Sequence, residues 1–260
     1  MKLLGIGPRD VVALARHQRR AHDLRGPLQV TGLLAEQLAR ELGAGGDQTL
    51  VRTSGDPETA GVFVRVVAGA ATAEDERLLR SATRAAVPVV AVQTAEPSRA
   101  GRLPYVLAED VVQVMPGSGF PVAEIADRIA AALGEDGAPL AASLPVLRDA
   151  VVRRRATDTA VGAAALAAFA ASSGPRLPVL ALAQARMLSD VAVASGVEQG
   201  GDGRESARQL VLPLAAALGT GLAARELVRR APFRGRIVDG AVAGAATLAL
   251  GALFRRLPLR

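Results

Sequence analysis

Two nearly continuous β-branched runs, Gly61 to Ala68 (GVFVRVVA) and Val87 to Gln93 (VPVVAVQ), constrain this chain more than any other feature. A strand with one wet face alternates apolar and polar residues. Runs like these are apolar on both sides and must be covered on both faces. Between them Thr72 is a good helix N-cap, with Glu74, Asp75 and Glu76 in the first turn to complement the dipole, and the helix should run to about Ala85. Strand, helix and strand of these lengths imply a parallel crossover. Shorter signals surround this pair. Pro27 to Thr31 reads as a strand, and Leu33 to Leu42 as an amphipathic helix ended by Gly43. Gln48 to Arg52 is a brief strand, Gly55-Asp56-Pro57 a turn, Tyr105 to Val114 a third buried strand, and Pro121 to Leu133 a closing helix. The expected class is α/β, a mostly parallel sheet with helices on its faces, over residues 25–138.

The flanks have a different texture. Arg9 to Leu24, within residues 1–24, reads as a basic helix. Its run Arg16 to Arg25 (RHQRRAHDLR) has no interleaved aromatic for base stacking, so a solvated face is expected and no nucleic acid. Met1 to Gly5 has no long apolar run after its charge and does not read as a secretory signal. The expected location is the cytoplasmic face of the bacterial inner membrane, with the cytoplasm as the alternative. Beyond Pro139 no strand pattern appears. Residues 139–260 read as an all-α, Ala-rich hydrophobic domain of four helices: Ser143 to Ser172, Pro178 to Ser195, Glu205 to Arg230 and Arg236 to Leu257.

Three uncharged stretches in that half, Thr159 to Pro175, Gln209 to Ala224 and Gly240 to Phe254, fall short of the ~20 residues a bilayer span requires. They are rich in Ala and Gly, which favour insertion little. A soluble bundle and one or two short spans both remain open. Contact with lipid is favoured by Arg225, Arg229, Arg230, Arg234 and Arg236, and by Arg255 and Arg256, which rim the apolar runs and suit anionic headgroups. Gly240, Gly244 and Gly251 add small-residue spacing on one helix face. The acids near the apolar runs are expected to pair along their own helices, as Arg186 with Asp190 and Asp149 with Arg153. Expected partners are therefore an anionic membrane surface or the inner membrane, an unidentified protein, and a second copy in a homo-oligomer.

The chemistry of catalysis is thin. With no Cys, thiolate zinc sites, iron–sulfur clusters and cysteine nucleophiles are excluded; with two His, imidazole chemistry is not expected. Lys2 is the only lysine among 31 basic residues, so no G-x-x-x-x-G-K-[ST] phosphate loop exists. Where one would follow the first strand stands Thr31-Gly32-Leu33-Leu34-Ala35-Glu36. Ser118, in Gly117-Ser118-Gly119, has no histidine downstream to activate it. No metal site or cofactor is expected.

The order of segments resembles the second half of a small GTPase domain. A strand ending Val66-Val67-Ala68-Gly69 and an acid-started helix lead to Val87-Pro88-Val89-Val90-Ala91-Val92-Gln93-Thr94, like the strand before the guanine-reading N-K-x-D loop. Here that loop's place holds Gln93-Thr94-Ala95-Glu96-Pro97, without its lysine, leaving Thr94 and Glu96 as the weak candidates for cofactor contact. Leu144-Pro145-Val146-Leu147-Arg148, leading into Ala-rich helices, resembles the hydrophobic region of YcjF-type bacterial inner-membrane proteins of unknown function. The resemblance implies a degenerate P-loop-GTPase-like sheet lacking the P-loop, joined to a hydrophobic helical domain. The missing lysine and the Arg-rimmed apolar runs lead us to expect a non-enzymatic, membrane-associated scaffold or regulatory protein. The alternatives are a nucleotide-binding switch with an atypical loop and a soluble partner-binding helical module.

Overall fold

The computed structural model of the chain describes residues 25–96, 101–169, 176–196, 241–242 and 244–249, with Ala13 and Arg16 besides. Residues 24–151 form one compact unit, and residues 1–23 with 152–260 the other.

The first unit holds five strands, β1 (Leu28–Gly32), β2 (Val51–Arg52), β3 (Val62–Ala68), β4 (Val89–Thr94) and β5 (Val111–Val114). They lie in the order β2-β1-β3-β4-β5, every pair parallel. This is a doubly wound order, in which the chain turns back between β1 and β3. Helices α1 (Ala35–Leu42), α2 (Ala73–Arg84) and α3 (Val122–Leu133) complete the layers. On one face Phe63 of β3 packs against Leu79 and Ala82 of α2. The β1–α1–β2 connection runs across the sheet in the direction opposite to β3–α2–β4, so right-handed crossovers put α1 on the opposite face, where α3, which follows β5, touches it. Both faces are buried from Val62 to Val67 except for the half-buried Arg65, as the unbroken apolar run requires.

Three expectations for this unit need correction. The strand expected over Gln48–Arg52 is only Val51–Arg52, because the Asp47 carboxylate accepts the Thr49 N–H and winds Gln48–Leu50 into a 3-10 turn. The strand expected from Tyr105 begins at Val111: Tyr105 has φ +64°, and the Asp110 N–H closes a turn on the Leu107 carbonyl. The unit also continues past residue 138. Pro139 opens α4 (Ala138–Ser143), where its missing N–H costs nothing, and Leu140, Ala141, Leu144 and Leu147 are buried. The Asp47 N–H donates to the Ser143 carbonyl at 3.0 Å.

Helix α5 (Pro145–Phe169) runs through the division at Val151, and α6 (Arg176–Ala194) follows. In the second unit Asp190, with no exposed surface, pairs with Arg155 of α5 and not with the expected Arg186, which is exposed. Gln184 donates to Thr247 Oγ1 at 2.8 Å, with both residues buried. Gly244 lies against Ala160 and Ala164, where a Cβ would make ordinary contact. No helix among the described residues is long and apolar enough to cross a membrane.

Helix α2 ends in a Schellman motif: Val87 N–H donates to Ala82 O and Ala86 N–H to Thr83 O, with Ala86 at φ +56°. That position is normally glycine's. Ala86→Gly should therefore raise unfolding free energy by about 0.5 kcal/mol in urea denaturation. Gly32→Ala should do the reverse and by more, since its Cβ would fall 2.0 Å from the Val66 carbonyl oxygen at φ +104°.

Candidate functional site

In doubly wound sheets ligands bind beyond the carboxyl ends of the strands, at the switch point. Here that point lies between Gly32 of β1 and the end of β3. Leu33 N–H donates to Val66 O at 3.2 Å, turning the chain sharply off the sheet. Leu34 then caps α1 at φ +54° without a side-chain hydrogen bond. The two leucines face solvent, 46% and 56% exposed, and Glu36 occupies the first helical turn.

Across the switch point, Gly69 follows β3 at φ +74° and its N–H donates to Thr94 O at 3.1 Å. Gln93, 2% exposed, donates through Nε2 to the carbonyls of Gly69 (2.6 Å) and Gly101 (2.9 Å). It thereby pins the turns after β3 and β4 to one another. Thr94 is half-buried in register with Ala68 and Val114, and Glu96 is exposed two residues on. The edge is completed by Met115, 53% exposed, whose carbonyl accepts from Ser118 N–H and Oγ. The Gly117-Ser118-Gly119 segment is thus a turn.

One charged network lies beneath this edge, and only half of it is legible in the sequence. Arg65 of β3 donates to the Asp75 carboxylate at 2.6 and 2.7 Å; Asp75 also accepts the Thr72 N–H (2.8 Å) and hydroxyl (2.6 Å). Burial pushes the Asp75 carboxyl up, but the Thr72 hydrogen bonds and the Arg65 guanidinium outweigh it and hold the group below its ordinary value. Thr72 and Asp75 were legible as a helix start. The missing signal was Arg65, a lone charge in a strand covered on both faces, which must find a counter-ion. In register beside Arg65, Thr31 keeps a buried hydroxyl that has no hydrogen-bond partner.

Among the described residues no cluster of His, Asp and Glu is arranged to hold a metal ion. Comparison with protein-family models, with curated proteins and with solved structures gave no match. Of the residues read as lipid contacts, Arg225, Arg229, Arg230, Arg234, Arg236, Gly240, Gly251, Arg255 and Arg256 lie outside the described residues, whereas Gly244 is buried.

Chemically the edge offers apolar surface, backbone N–H groups at the start of α1 and a carboxylate; Arg65 is already paired. Asp75→Asn, which leaves Arg65 buried without a counter-charge, should cost about 3 kcal/mol at pH 7 in denaturant titrations. Because the folded pKa is depressed, this stabilisation is present above the ordinary value of 3.8 and is lost as pH falls through the lower folded pKa. The difference between wild type and variant should shrink below that pH, and a pH-independent difference would contradict the assignment.

Proposed function

We propose that this chain is a non-enzymatic scaffold or regulatory protein: a degenerate P-loop-GTPase-like α/β unit attached to an anionic membrane surface at the cytoplasmic face. The observation that carries the reading is the first turn after β1. A phosphate-binding loop presents glycine backbone and a lysine there. This chain presents two exposed leucines and an acid, and its only lysine is Lys2. Stabilising a transferring phosphoryl group needs cations aimed at its oxygens, and the one basic side chain in the adjoining strand is committed to Asp75. The strand order supports descent from a nucleotide-binding plan.

Attachment to the membrane rests on the sequence of residues 205–257. Their apolar runs are rimmed by Arg225, Arg229, Arg230, Arg234 and Arg236, and Arg255 and Arg256 follow the last run. Clustered arginines add about 1 kcal/mol each near an anionic surface and act only within a Debye length.

Calorimetry with the magnesium complexes of GTP, GDP and ATP should give no saturable heat tighter than about 1 mM. Micromolar binding abolished by Thr94→Ala or Glu96→Ala would establish the nucleotide-binding switch instead. The protein should co-sediment with phosphatidylglycerol vesicles at low salt and be released at high salt. Arg225→Glu with Arg229→Glu should weaken that binding. Recovery in the supernatant at both salts would defeat attachment and favour the soluble partner-binding module.

A further inference from the structure

The passage from β4 to β5 carries only the 3-10 turn Ala108–Asp110 between residues 101 and 110. On the α2 face of the sheet, residues 101–107 lie where a crossover helix would normally pack. Leu103 sits against Val67 and Ala91, and Val106 bridges to the Phe63 cluster. So thin a cover leaves a cleft of about 640 Å³ between this segment and α2, lined by Thr83 and residues 102–107. Leu107 is 64% exposed there. Tyr105, the single tyrosine of the chain, is 47% exposed at φ +64°. A non-glycine residue in the left-handed region costs about 1–3 kcal/mol and persists only where its surroundings hold it. Two α2 residues hold Tyr105. The Thr83 hydroxyl hydrogen-bonds Tyr105 O at 3.3 Å, and the Arg80 guanidinium stands 5.2 Å over the ring centroid.

Two arginines stand at the cleft: Arg102 in its lining and Arg80 over Tyr105. Arg77 and Arg84 lie three residues before and four after Arg80 on the exposed face of α2. Among the described residues none of the four forms an ion pair with a carboxylate. The acids that follow the segment are Glu109, which is exposed, and Asp110, whose carboxyl burial and the neighbouring Glu109 hold above its ordinary value.

From this geometry we infer that the cleft docks an acidic segment of a protein partner, whose apolar side chains enter beside Leu103, Val106 and Leu107 while its carboxylates meet Arg77, Arg80, Arg84 and Arg102. The inference rests on reading the α/β unit as a non-enzymatic binding module. Charge complementarity selects the acid, and the aliphatic, concave floor selects a peptide. A single-stranded nucleic acid would need free aromatic faces, and one face of Tyr105 is covered by Arg80. A lipid surface does not enter a cleft of this size.

Selection of a displayed library of random dodecapeptides on the full-length chain tests the proposal. Sequences combining Asp or Glu with Leu or Phe should be enriched. Affinity for a synthetic copy of the selected peptide should fall at least about tenfold in Arg80→Glu with Arg84→Glu. Leu107→Asp should weaken it as well, while far-UV circular dichroism stays unchanged in both variants. Enrichment without acids, binding indifferent to these substitutions, or tighter binding of oligo-dT or phosphatidylglycerol vesicles through the same arginines would overturn it. Nucleotide calorimetry separates the two failures: micromolar heat sinks the scaffold reading, and silent calorimetry without an acidic consensus sinks the cleft alone.

Discussion

The carbonyl of Val66 governs the edge of the sheet where this fold could act. Its oxygen accepts the Leu33 N–H and stands where a Cβ on residue 32 would have to go, so the chain must leave β1 through a glycine and turn at once. Helix α1 then starts on Leu34 in a left-handed conformation, without a side-chain cap. A helix start favours anions through its unpaired N–H groups and its dipole. Here the residues on either side are leucines, and the first acid along the helix, Glu36, opposes an incoming phosphate. The same backbone contact that allows β1 and β3 to lie in register thus orders an edge whose exposed chemistry is apolar.

Below that edge, polar side chains join the loops without exposing a reactive group. Gln93 spends its amide donors on two loop carbonyls, and Arg65 is consumed by Asp75, which in turn closes the capping box of α2. Each buried donor with a fixed partner stiffens the turn it holds. Such an arrangement presents an edge of constant shape.

Much of this plan was legible in the sequence, for identifiable reasons. Runs that are β-branched on both sides leave no doubt about burial, so β3 and β4 stand within two residues of their expected limits, and Thr72 with the acids after it announces α2. The segment from Tyr105 to Asp110 misled because its apolar residues share composition with a strand. What separates them is a backbone angle at Tyr105 and the tucking of Leu103 and Val106 onto the sheet, both products of tertiary packing. Pro139 read as a boundary although proline suits the first turn of a helix. Asp190 was matched to Arg186 by helical spacing, a rule for wet surfaces; a carboxylate with no exposure instead takes the cation facing it from α5, Arg155. The α2 arginines could not be tied to Tyr105 from sequence, because the juxtaposition depends on where the β4–β5 passage lies.

Nuclear magnetic resonance of the ¹⁵N-labelled full-length chain during titration with the magnesium complex of GTP reads the carboxyl edge residue by residue. The amide resonances of Gly32, Leu33, Leu34 and Gly69 should hold their positions throughout. Saturable movement of those four signals would contradict the account, because it would place a nucleotide on the turn that the leucines occupy.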